Sequence, residues 1–332
     1  MAGLGSCHQT CPLQDHPPLW NPFPIGKLVT VRWVHDLLPQ FNLLRGAAVL
    51  INLGYEIEIT CEQPTEVIAL LDPHPDLDCK VVRTSGLQIT PSIQDRTYID
   101  RYGNRCLRLT APAGVTRLFR DSVIAMDGHP DPWPAPKDGT TDGAVRESPV
   151  SALPDDVLGY LLASRYCETD LMMTQAWALF GHVPPGWARV RAIFDYVHQH
   201  LTFGYQHARA TRTASEAWKE RVGVCRDFAH LAITLCRCMN ILARYANGYL
   251  GDIGVTANPA PMDFNAWCEV WLEDRWVTLD ARHNTPRIGR VVIARGRDAT
   301  DIPLIHTFGP HQLTAFRVWT EEVPDTEVRS VA

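Results

Sequence analysis

No apolar run in this chain approaches the roughly 18 residues needed to cross a bilayer as a helix, so a membrane-spanning helical protein is not expected. There is no cluster of Lys or Arg, and the net charge of −6 with a pI near 6.1 argues against nucleic acid or an anionic membrane surface as the main partner. The start of the chain has neither the basic residues nor the apolar stretch of a secretory signal. Its ten cysteines form no tightly spaced framework, and most fall inside expected strands or helices. Reduced thiols in a cytoplasm are the expectation. Cys7 and Cys11, with His8 and His16 nearby, have a spacing that zinc accepts, but no second ligand pair follows at finger spacing. Neither a metal nor an organic cofactor is expected.

What the chain does have is an ordinary globular composition, 45% apolar and 20% charged over 332 residues, enough for two domains and a sizeable core. Residues 1–47 are rich in Pro and Leu with weak periodicity and read as a loosely ordered extension. Residues 48–127 carry short alternating stretches, among them Tyr55-Glu56-Ile57-Glu58-Ile59, and predict a β-sandwich-like domain. Pro, Gly, Asp and Thr over 128–150 read as a linker. Residues 151–320 turn helical and then strand-like, an α+β core, with a tail at 321–332. Gly251 to Pro261 reads as a loop beside the cleft.

The most informative segment is Gly223-Val224-Cys225-Arg226-Asp227-Phe228-Ala229-His230-Leu231-Ala232. A cysteine here follows a glycine turn and opens an amphipathic helix, with Phe228, Ala232, Leu235 and Met239 at helical spacing. A thiol on a first helical turn sits at the positive end of the macrodipole, beside backbone N–H groups that lack helical partners. That position is expected to lower the thiol pKa and to leave donors free for an oxyanion.

This segment, with Ala243–Leu250, Met262–Val270 and Arg275–Arg282, resembles the transglutaminase-like superfamily, in which a cysteine, a histidine and an aspartate follow in this order. The superfamily includes transglutaminases, peptide N-glycanase-like enzymes and many bacterial proteins described as cysteine proteases. The resemblance implies a papain-like or transglutaminase-like core of helices on an antiparallel sheet. It also implies Cys225 as nucleophile and Asp280 as the aspartate that orients a base. The clefts of such proteins make Arg226, Tyr249 and Trp267 candidate lining residues. One element departs from the pattern, because Asn265 stands where the superfamily has histidine before Ala-Trp.

Strand geometry tests that slot independently. If Glu273-Asp274 is a two-residue turn, Leu272 pairs with Arg275 and Trp267 lies opposite Asp280. Asn265 is then a diagonal neighbour of Asp280 on one face, at roughly 7 Å between Cβ atoms. Asparagine can hydrogen-bond there but cannot take a thiol proton at neutral pH. Asn265→His is accordingly expected to raise turnover, by about 10²–10⁴-fold if a general base is restored. Two other histidines are candidate bases. His207 lies in a loop before the cysteine turn, and His283 serves only if the chain turns after Ala281. His230 is about 140° round the helix from Cys225 and faces elsewhere.

Two functions fit these features. One is a cysteine-dependent amide or peptide-bond hydrolase or acyltransferase working through a Cys225 thioester on a peptide, protein or small amide. The other is a peptide- or protein-binding module on the same scaffold, with turnover lost through Asn265.

Overall fold

The computed structural model describes residues 48–134 and 147–324. The expected extension at 1–47, with Cys7, His8, Cys11 and His16, lies outside the described residues, as do 135–146 of the expected linker and 325–332 of the expected tail.

Seven strands open the described chain: β1 (Val49–Cys61), β2 (Thr65–Ala69), β3 (Val81–Thr84), β4 (Gln88–Thr90), β5 (Asp95–Ile99), β6 (Arg105–Ala111) and β7 (Gly114–Met126). Helices α1 (Thr169–Phe180) and α2 (Trp187–His200) follow, then β8 (Thr202–Phe203), α3 (Ala214–Glu220), β9 (Val222–Gly223) and α4 (Cys225–Cys238). The chain ends in β10 (Ala243–Tyr249), β11 (Asn265–Leu272), β12 (Arg275–Leu279), β13 (Val291–Gly296), β14 (Ile305–Thr307) and β15 (His311–Val323).

Helix α4 is the centre of the α+β core. Ala229, Leu231, Ala232, Ile233 and Leu235 are all buried, so the helix is covered on every side rather than along one stripe. It packs on β10 and β11 of the antiparallel sheet β12-β11-β10-β13, with α1, α2 and α3 against its other faces. At its exit Asn240 takes a left-handed conformation with φ of 62°, as a polar residue does after a helix end.

The N-terminal strands form two antiparallel sheets, β15-β1-β7-β3 with β4 also on β7, and β14-β2-β6-β5. Both use strands from the far end of the chain. β15 pairs with β1 from Leu50↔Val323 to Cys61↔His311, and β14 pairs with β2. This corrects the expected division at 320, because residues 305–323 complete the N-terminal sheets rather than the core. Nor is the N-terminal unit a detached scaffold. Tyr249 Oη donates to Leu71 O at 3.0 Å and Asn104 Nδ2 to Arg295 O at 2.8 Å, while buried apolar residues of both parts form one continuous cluster. β15 also backs the Gly251–Phe264 loop, with Thr320 N–H on Met262 Sδ at 3.3 Å and the Phe316 ring 5.9 Å from that of Phe264.

The entry to α4 is built tightly. β8 and β9 pair in parallel, and Gly204 N–H donates to Gly223 O at 3.1 Å. Asp227, on the first turn, accepts the Val224 N–H at 2.9 Å and Arg212 Nη1 at 3.0 Å. A Cβ on Gly223 would lie 2.6 Å from Asp227 Cβ, so only glycine lets this carboxylate fold back on the turn. Gly223→Ala is therefore expected to cost about 1–3 kcal/mol, as overpacking does. Urea unfolding measures it, and an unchanged midpoint would show that the turn yields without cost.

Candidate active site

Cys225 is half-buried at the start of α4, where the backbone of Ala266 on β11 favours its thiolate. The neighbouring residue on that strand is Asn265. The hairpin that carries it has the expected register, with Leu272 paired with Arg275 and Cys268 with Leu279. Glu273 and Asp274 adopt φ of 49° and 58°, the left-handed pair of a two-residue hairpin turn whose twist suits the flanking strands.

After Leu279 the strand ends and the chain folds back. Asp280 drives that reversal. Its Oδ1 accepts the backbone N–H groups of Arg282 at 2.9 Å and His283 at 3.2 Å, and its carbonyl accepts Asn284 N–H at 2.7 Å. Side-chain capping of the residues just ahead is how an aspartate makes a turn without a regular ladder. Helix α2 fixes the turn from behind, through Asp195, which accepts Asn284 Nδ2 at 2.7 Å, and through His198 Nδ1, 3.0 Å from Arg282 O. The reversal brings His283 back, and its Nδ1 lies 2.8 Å from Asp280 Oδ2. Arg290 Nη2 shares the same oxygen at 3.0 Å and ties on to Asp131 through Nε at 2.9 Å.

Asn265 takes no part in that cluster. Its Oδ1 accepts Arg282 Nη1 at 3.0 Å and its Nδ2 donates to Asp263 O at 3.2 Å. Asn265, Arg282, His283, Asp263 and Tyr205 line one polar cavity of about 70 Å³, closed on the far side by the loop from Leu250 to Met262. That is room for about two waters, so the cavity accepts the tip of a substrate and not a whole ligand.

Burial sets the protonation states here. It pushes the Cys225 thiol up to about 11, against the opposing pull of Arg282, with Asp263 and Asp280 adding to the rise. The raised thiol runs against the lowering expected from the helix start, and burial is its largest cause. Burial likewise raises Asp263, although the Phe264 N–H and Arg282 oppose it. Burial alone would raise Asp280 too, but Arg290 and His283 hold it well below the usual carboxylate range.

The family model described as "Transglutaminase-like superfamily" matches residues 179–281, from the end of α1 to the turn after β12. The crystal structure of "a Putative Cysteine Protease from Cytophaga hutchinsonii" superposes with a TM-score of 0.72 at 26% identity, covering 84% of this chain and 92% of that one. The chain carries a transglutaminase-like core. Among curated proteins, the uncharacterized Rv2569c of Mycobacterium tuberculosis is 28% identical over 239 residues, which are 65% of this chain and 73% of the relative. A Mycobacterium leprae protein, ML0607, is 32% identical over 83 residues, 24% of this chain and 29% of its own.

Within this transglutaminase-like core, three expected lining residues lie elsewhere. Trp267 is buried beneath the site with the Arg290 guanidinium 4.9 Å from its ring centre. Tyr249 is also buried, its hydroxyl spent on Leu71 O. Arg226 turns outward to the carbonyls of Arg209 and Ala210. Of the candidate bases, His207 is apart from the cavity lining, with its ring Nε2 3.4 Å from Gln206 Nε2. His230 is buried, stacked on Tyr166 at 5.0 Å and accepting Ala299 N–H at 3.2 Å. His283 alone of the three lines the cavity and meets Asp280.

Sequence reasoning missed Arg282, Asp263, Tyr205 and Arg290. Arg282 was within reach, since it follows Asp280 by two residues and would share its face if the strand continued. Tyr205 and Asp263 arrive on irregular segments, where no periodicity marks direction.

Proposed function

We propose that this chain is a thiol acyl-transfer enzyme acting on amide bonds of peptides or proteins, with Cys225 as nucleophile and His283, held by Asp280, as base. The observation that carries this reading is the 2.8 Å contact between His283 Nδ1 and Asp280 Oδ2. With Nδ1 occupied by the carboxylate, the tautomer is fixed and Nε2 is the nitrogen left for proton transfer. A thiol pushed up to about 11 is not a standing thiolate at neutral pH. Proton removal must then accompany attack. The sulfur adds to the amide carbonyl carbon, its proton passes to His283, and backbone N–H groups at the start of α4 receive the oxyanion. Collapse expels the amine with that proton and leaves a thioester, which water or a second amine resolves. Peptide or protein substrates are supported by the name of the Cytophaga relative.

One observation favours the alternative of a binding cleft without turnover: the raised thiol itself. Dimethylcasein and short fluorogenic peptide amides separate the two. The enzyme reading expects amine release by the wild type and none by Cys225→Ala. Peptide binding that is equal in both proteins, with release in neither, would establish the binding reading instead.

The Asp280–His283 pair also reverses the effect expected of Asn265→His. An imidazole at 265 would find Asp280 already engaged and Arg282 as its neighbour, so it gains no orienting carboxylate and loses the amide acceptor. Turnover is expected to fall. A rise of about 10²-fold or more would mean that residue 265 displaces His283 from Asp280.

A further inference from the structure

We propose that Arg282, anchored by Asn265, supplies the positive charge that stabilises the Cys225 thiolate as it forms, a proposal that rests on Cys225 being the reacting thiol. Three contacts triangulate the guanidinium. Its Nη1 donates to Asn265 Oδ1 at 3.0 Å, and Asn265 directly precedes Ala266, whose backbone favours the Cys225 thiolate. Its Cζ lies 3.7 Å from the ring centre of Phe203, the residue paired with Gly223 two positions before Cys225. The Asp280 carboxylate caps its backbone N–H at 2.9 Å, fixing where the side chain starts. A guanidinium placed on an aromatic face and tied to one neutral amide keeps its full charge, because no carboxylate within the described residues forms an ion pair with it.

The groups around the sulfur make that charge matter. Asp263 faces it from the segment before β11, and Asp280 from the turn after β12. Tyr205 approaches from the short helical turn after β8, Tyr245 from β10, and His283 shares the cavity beside Asn265. Asp227 lies on the first turn of α4 but is neutralised by Arg212. Asp263 and Asp280 oppose a thiolate, Asp280 already sharing its charge with Arg290, and Arg282 is the cation that favours the thiolate.

This gives Asn265 a purpose. It is a positioning residue: an amide there accepts one guanidinium N–H without discharging it, whereas a carboxylate would cancel the charge.

The test is the pH dependence of iodoacetamide alkylation of the whole chain, read at Cys225 by peptide mass mapping, with exposed Cys79 as an internal reference. Arg282→Met and Arg282→Gln are expected to raise the Cys225 midpoint by at least about one pH unit, the scale of an opposite charge at close range. That is about tenfold slower reaction below the midpoint. Arg282→Lys should retain most of the wild-type midpoint, and Asn265→Ala should show part of the rise, which a merely structural role would not produce. Circular dichroism melting identifies any variant that fails to fold, and the remaining substitutions then carry the test. Midpoints equal to wild type in folded Arg282→Met or Arg282→Gln would overturn the proposal. The outcome is independent of His283, so failure of the base assignment and failure of this one are told apart.

Discussion

His283→Gln is expected to lower turnover of any accepted amide by about 10²–10⁴-fold, the range general-base catalysis contributes. The size follows from the state of the thiol. Burial holds Cys225 up to about 11, so each attack needs a proton acceptor in place, and His283 is the histidine that lines the cavity and meets a carboxylate. Glutamine keeps a donor towards Asp280 Oδ2 and preserves the turn, which isolates loss of the base from loss of structure. Alkylation of Cys225 well above its midpoint should continue at the wild-type rate, since hydroxide then supplies the thiolate. Steady-state kinetics on the same peptide amides check the first part, and a fall below about tenfold would remove His283 from the base role.

Asp280→Asn is expected to impair both the fold and the chemistry. Arg290 is almost wholly buried, and Asp280 is one of the two carboxylates that neutralise it, the other being Asp131. Breaking a buried pair by removing one partner costs about 3–5 kcal/mol, and the remaining Asp131 contact puts this case near the lower end. The sign with pH follows from the depressed carboxyl. A group whose folded pKa is lowered stabilises fully above its unfolded value, near about 4, and loses that stabilisation as the pH falls through the folded value. The gap between wild type and Asp280→Asn should therefore be widest near neutrality and narrow steadily in acid. Urea unfolding at about pH 7 and about pH 3 measures both, and a gap that widens in acid would contradict the assignment of Asp280 as the charged partner. The same substitution frees His283, so turnover should fall with it even where the protein remains folded.

Much of this arrangement was legible in the sequence where local rules apply. Glu273-Asp274 between two alternating stretches marked the hairpin register, from Leu272 with Arg275 to Cys268 with Leu279. The cysteine at a helix start after glycine placed Cys225. What local rules do not reach is the direction of chain outside regular elements. Face alternation pairs Asn265 with Asp280 only while both strands persist, and the Asp280 side chain ends β12 by capping the residues that follow. His283 is thereby returned to a carboxylate that a continued strand would have put on its opposite face. A helix start is visible in sequence, whereas the burial that opposes its effect on the thiol is not. The return of β14 and β15 to the N-terminal sheets was hidden as well, because pairing across some 250 residues leaves no mark in local composition.

The most direct test of the central claim is capture of the thioester. Wild type, His283→Gln and Cys225→Ser are mixed with a 4-nitrophenyl ester of an N-protected amino acid, quenched in acid, and mapped by peptide mass. A hydroxylamine-sensitive acyl group on Cys225 in the wild type, formed markedly more slowly in His283→Gln and absent from Cys225→Ser, is the result the account predicts. An unmodified Cys225 in the wild type, or equal acylation rates in wild type and His283→Gln, would contradict it.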